Sequence, residues 1–241
     1  MNGLQQQQQQ QQHDDLRARV ALACAGYNLS PTVSAAVHTH GPQATLGTLI
    51  LPVKMLEQAD EVVAFGAQHD LTILTPMSGF WPWADPRLAS PPPLVLWASG
   101  HFENLQEPLI HLGEQTGVIV SAVDDWSVLE VATHLSDSGY VLVSTSNTCV
   151  GQLVLRSAVA MGGRWVTVST DLLQDKALVP PGDQRGLIVT ATPPLHAPQR
   201  FPQRDTADLV ARLATVTIHT GIGSGHETSA SCLAAQLRAL R

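Results

Sequence analysis

The chain has 241 residues, 44% of them hydrophobic and only 14% charged, with a formal net charge of −7. That is enough apolar sequence for one sizeable core, and it excludes a chain disordered throughout. The negative balance sets the overall field against nucleic acid and anionic membranes, so contact with a phosphate backbone requires a local basic patch.

Residues 1–13 are dominated by Gln5–Gln12, a run with no apolar face, and are expected to form a disordered tail. Residues 14–69 read as a small helical region. A first helix starts at Asp14 with Leu16, Val20 and Ala23 on one face, and a second covers Thr32 to His38. An apolar patch, Ala44 to Leu51, follows the Gly41-Pro42 break, and a longer helix runs from Val53 to Gln68. Leu71–Thr75 and Leu94–Ala98 read as strands, separated by a proline-rich stretch that includes Pro91-Pro92-Pro93. Trp81, Trp83 and Trp97 read as packing residues, the alternative being a stacking platform for bases.

From residue 109 onward, short β-branched runs alternate with helical periodicity. The strands are Leu109–Leu112, Val118–Ala122, Tyr140–Ser144, Trp165–Ser169, Leu187–Ala191 and Val216–His219. The helices are Ser127–Ser138, Val150–Met161, Thr206–Leu213 and Glu227–Leu240. Residues 171–186 are short for a full crossover helix. This alternation predicts an α/β fold over residues 70–241, a Rossmann-like open and mostly parallel sheet with helices on both faces.

Cys24, Cys149 and Cys232 are widely spaced and odd in number, which excludes a disulfide framework and zinc-ligand spacing; they read as buried thiols. Among ten histidines, His38 and His40 are two apart, a spacing for a strand or loop, and no H-E-x-x-H occurs. No metal and no cofactor are expected. Asp124-Asp125 reads as the cap of the helix that follows. No apolar run reaches the ~20 residues of a membrane span, and no signal-peptide pattern opens the chain, so the expected location is cytoplasmic.

The candidate chemistry lies near the end. Gly221-Ile-Gly-Ser-Gly225 sits between a strand and a helix, where an open α/β sheet holds anions on helix N-termini. It lacks the third glycine of G-x-G-x-x-G and a following lysine, and Ser224 is not in G-x-S-x-G. Binding rather than covalent catalysis is therefore expected. Arg200 and Arg204 form the best basic spot, and His219 and His226 flank the loop.

Four segments together resemble the DNA-processing protein A family (DprA, also called Smf). Pro91 to Gly100 is similar to its entry segment. Ser144 to Gly163, STSNTCVGQLVLRSAVAMGG, is similar without gaps to SGxAxGIDxxAHxxALxxGG. Ala191 to Arg200 resembles E-x-P-P-G-x-x-P. Phe201 to Ala230 is similar, again without gaps, to FPxRNRxIAxLAxxxVVVEAxxxSGSLxTA. The resemblance implies a Rossmann-like core and a cytoplasmic homodimer that binds single-stranded DNA and helps to load a RecA-type recombinase in natural transformation. Phe201, Pro202, Arg204, Gly221, Ser224 and Gly225 keep the family residue at matching motif positions, and the expected phosphate- or nucleic-acid-binding residues are Ser144, Arg200, Arg204, Gly221, Gly223, Ser224 and Gly225. Arg204 would meet a phosphate, and Ser224 and Gly225 would donate from a helix start.

The loss of at least two arginines and the introduction of an aspartate weaken an anion site, and other motif positions also depart from the family. The family's Asn-Arg pair is Asp205-Thr206, its arginine before Ser-Gly is Gly223, and its acidic strand end is His219. Its Gly-Ile-Asp is Cys149-Val150-Gly151, the following histidine is Leu155, and the Gly-Ser-Arg turn is missing. The expectation is a retained fold with a partly eroded site. Two alternatives stand beside it: a small-nucleotide sensor using the glycine loop, and a degenerate paralogue acting through protein contacts.

Overall fold

The structure is a computed structural model and describes residues 2–49, 54–83, 92–114, 125–176, 185–195 and 202–220. Four helices come first: α1 (Asn2–Leu22), α2 (Pro31–His40), α3 (Pro42–Thr48) and α4 (Lys54–Gln68). Gln5–Gln12 lie within α1 and not in an irregular tail. Glutamine is a good helix former, and a helix nucleated by packed residues extends outward at one hydrogen bond per residue. The packed residues are Ala18, Val20, Ala21 and Leu22, all buried, whereas residues 4–13 are exposed. A π-helical turn, Ala23–Tyr27, ends this element at Gly26, whose φ of 86° is open to glycine without strain. In α2, Ser30 caps the start and Pro31 occupies the first turn. His38 and His40 fall in the last turn of α2, not in a strand or loop.

Among the described residues the sheet has seven strands: β1 (Thr72–Leu74), β2 (Leu96–Gly100), β3 (Leu109–Glu114), β4 (Val141–Thr145), β5 (Arg164–Val168), β6 (Gly186–Thr190) and β7 (Val216–Thr220). Their order is β1-β2-β6-β5-β4-β3-β7. β6, β5, β4, β3 and β7 are mutually parallel, while β2 pairs antiparallel with β6 and β1 antiparallel with β2. The helices between strands are α5 (Asp125–Asp137), α6 (Cys149–Ala160), the short α7 (Leu172–Lys176) and α8 (Pro202–Leu213). This is the mixed α/β architecture expected from the alternating pattern. The strand predicted over 118–122 and the helix over 227–240 lie outside the described residues.

Two apolar layers flank the sheet. On one face Ile110, Leu112, Leu142, Trp165 and Ile188 pack with Val128 and Leu135 of α5, Val150 and Val154 of α6 and Leu172 of α7. Val20 of α1 and Val62 of α4 belong to the same cluster. On the other face Val141, Val143, Val166, Val168, Leu187 and Val189 pack with Leu209, Val210 and Leu213 of α8 and with Trp81 and Trp83. Strand residues therefore alternate between two apolar layers, which is why the parallel strands read as continuous β-branched runs. Trp81, Trp83 and Trp97 are all buried, so they pack and offer no platform for bases. The Trp83 ring N–H donates to the Arg212 carbonyl at 3.1 Å, fixing the chain against the end of α8.

Candidate nucleic-acid interface

The parallel strands all end at one edge, called here the rim. The chain adds β4, β5 and β6 successively on one side of β3, then returns through α8 to place β7 on its other side. The order of strands thus reverses between β3 and β7, and in open α/β sheets ligands bind outside the strand ends at that reversal. Glu114 is in register with Thr220, the last residue of β7. Gly221, Gly223, Ser224 and Gly225 follow directly in sequence and lie outside the described residues; Arg200, just before α8, lies outside them too. Arg204 lies in the first turn of α8, beside Asp205.

One strand over, the β4–α6 loop is polar and tightly bonded. Thr148 caps α6, its hydroxyl accepting from the Gly151 N–H at 3.0 Å. Thr145 Oγ1 accepts from the Asn147 N–H at 3.2 Å, and Gln152 Nε2 donates to the Ser146 carbonyl at 3.0 Å. Ser146 Oγ donates to Asp175 of α7 at 2.5 Å, which brings a carboxylate to this part of the rim. Ser144 is buried, and its hydroxyl lies beneath the first turn of α6 with no hydrogen-bond partner among the described residues. Thr167, its cross-strand neighbour on β5, is also buried, and among the described residues its hydroxyl likewise has no partner.

Gly151 explains one departure noted in the sequence. A Cβ there would overlap the Thr145 carbonyl oxygen and crowd Ser144 Oγ and Thr148 Oγ1. The aspartate of the resembled motif does not fit this packing, because α6 sits directly on the end of β4. Cys149 beside it is exposed, which corrects the expectation of a buried thiol. Cys24 is only partly buried, and burial pushes its thiol up to about 12, so it stays protonated.

Away from the rim, a cavity of about 220 Å³ opens at the opposite edge, lined by Glu107, Pro108, Ile110, Tyr140, Arg164 and Thr215 among others. Arg164 is occupied there, bonding Glu107 at 3.0 Å and the Gly139 carbonyl at 2.9 Å. Among the described residues no group of His, Cys, Asp and Glu is arranged to hold a metal ion. Among them also, no helix is long and apolar enough to cross a membrane.

No family model matches the sequence, and no curated protein matches it. The solved structure of DNA processing protein A (DprA) from Streptococcus pneumoniae superposes with a TM-score of 0.61. The match covers 92% of this chain and 83% of that one at 16% identity.

The chain has a DprA-like fold.

A second DprA structure, from Helicobacter pylori, is described by its single-stranded DNA binding mode. It matches with a TM-score of 0.46 and 19% identity over 69% of this chain and 75% of that one. The DprA-like fold agrees with the resemblance carried by the sequence motifs. Sequence reasoning missed two buried asparagines that pin strand ends, Asn28 and Asn104. Asn28 bonds residues 66 to 163 positions away and Asn104 residues 61 and 81 positions away. No local pattern marks either.

Proposed function

We propose that this chain binds single-stranded DNA along the rim and acts, as a homodimer, in loading a RecA-type recombinase, without covalent chemistry. The observation that carries this reading is the shared edge. Within a DprA-like fold, the start of α8 with Arg204 lies at the same sheet edge as the end of β7, which runs into Gly221–Gly225. A helix N-terminus presents free N–H groups and the positive end of its dipole, and an arginine in that turn adds a fork for phosphate. Arg200, Gly221, Gly223, Ser224 and Gly225 would complete the contact, with Ser144 supporting the neighbouring loop from below. Asp175 and the net charge of −7 oppose an anion, so affinity is low and falls steeply with salt.

Fluorescence anisotropy with a labelled single-stranded oligonucleotide tests the reading. Binding at low salt that weakens in Arg204→Ala supports it; absence of binding by the unaltered protein at low salt overturns it. Thermal stabilisation by a mononucleotide, with indifference to oligonucleotides, would replace it with the small-nucleotide sensor.

A further inference from the structure

The antiparallel pairing of β2 with β6 stops at the Trp97–Thr190 pair. Beyond it, towards the rim, the two chains separate, and backbone groups of Leu94, Val95 and Ala191 need other partners. A side-chain amide supplies them. Asn28 is fully buried just after the π-helical turn that ends α1. Its Nδ2 donates to the Ala191 carbonyl at 2.6 Å and to the Val95 carbonyl at 2.9 Å. Its Oδ1 accepts from the Leu94 N–H at 2.9 Å and the Val95 N–H at 3.0 Å. Both amide donors and both oxygen lone pairs are therefore used. The amide stands in for the next peptide unit of the ladder, with its nitrogen shared between two diverging strands.

Ala191 is the point at which the chain leaves β6 for the connection to α8. We infer that Asn28 is the positioning residue of that exit. By holding the Ala191 carbonyl against β2, it sets the direction in which the chain departs for the turn that carries Arg204. The clamp rests on the hydrogen bonds alone; its consequence for DNA rests on the function proposed above. Asn104 supplies an internal control. It too is fully buried, and its Nδ2 donates to two carbonyls, Trp165 at 3.1 Å and Arg185 at 2.8 Å, but at the opposite edge of the sheet.

The test compares Asn28→Ala with Asn104→Ala in the full chain, by amide exchange read residue by residue with NMR. Asn28→Ala is expected to accelerate exchange at Val189–Thr192 at least about tenfold while Gly186–Ile188 stay near the unaltered rate; Asn104→Ala is expected to give the reverse. Equal acceleration along all of β6 in both variants, or none in Asn28→Ala, overturns the inference. If Asn28→Ala does not fold, Asn28→Ser, which keeps one hydroxyl, must show the same pattern at smaller amplitude. In oligonucleotide binding, Asn28→Ala is expected to lower the salt slope by about one unit, as Arg204→Ala does, while Asn104→Ala keeps the unaltered slope. An unchanged slope in Asn28→Ala, when the unaltered protein binds, also overturns it. If the unaltered protein does not bind, the proposed function fails and the exchange pattern alone decides the clamp.

Discussion

At the N-terminal edge of the parallel strands, Asn104 ties β5 to the start of β6, and Arg164 joins Glu107 close by. At the C-terminal edge, Asn28 ties β6 to β2 and both to the helical region. The first edge is closed by the short turn that joins β2 to β3, and Asn104 leaves its own side-chain oxygen without a partner among the described residues. The second is closed from the N-terminal helical region, by a residue whose side-chain polar atoms are all engaged. The difference teaches that one edge is finished for stability, while the other couples distant parts of the chain where strands end and ligands bind in such folds.

The sharpest way to break this contrast is at the rim. Gly151→Asp forces a side chain into the Thr145 carbonyl oxygen, and the expected cost is about 3 kcal/mol or more, read by urea unfolding. Tolerance of aspartate there would mean that α6 is not seated on β4 as described. Next come the asparagines. Asn28→Ala removes four hydrogen bonds and strands three buried backbone groups, the Leu94 N–H keeping the Asn28 main-chain carbonyl at 3.1 Å; it is expected to cost about 3 kcal/mol, against about 1–2 kcal/mol for Asn104→Ala, which strands two. Equal losses would erase the distinction between the edges.

Arg204→Ala sharpens the comparison from the functional side. Its expected effect on unfolding is within about 0.5 kcal/mol, with the salt slope of oligonucleotide binding reduced by about one unit. The smallest effect lies far from both edges. Arg17 of α1 donates to both carboxylate oxygens of Asp60 on α4, and that hydrogen bonding holds the Asp60 carboxyl below its ordinary range. A lowered carboxyl contributes stability above its unfolded value and loses it as pH falls through the folded one. Both partners are more than one-third exposed, so solvent discounts the pair. Asp60→Asn is expected to cost less than about 1 kcal/mol near neutral pH and nothing once acid has protonated the carboxyl, as followed by melting at a series of pH values.

Much of this fold was legible because parallel strands buried on both faces announce themselves as β-branched runs. Val141–Thr145 and Arg164–Val168 lie within a residue of their predicted bounds. Helix boundaries were less legible. α8 begins at Pro202, four residues before the predicted Thr206, because proline suits the first helical position and polar residues can fill the exposed first turn. The glutamine run misled for a related reason: lack of an apolar face argues against packing, not against helix. The exposed thiol of Cys149 follows from its place at the start of α6, which composition does not reveal. The expectation for Arg204 came from its motif, whereas Asn28 bonds partners that only the folded chain brings near.

Among the described residues the outermost strand on one side is β1, which offers only Thr72–Leu74. So brief a border gives an incoming strand almost no template, which guards that flank against runaway polymerisation. Self-association of this chain by sheet extension is thereby disfavoured at β1, and a dimer avoiding that flank must find its contact on helices, loops or the far margin.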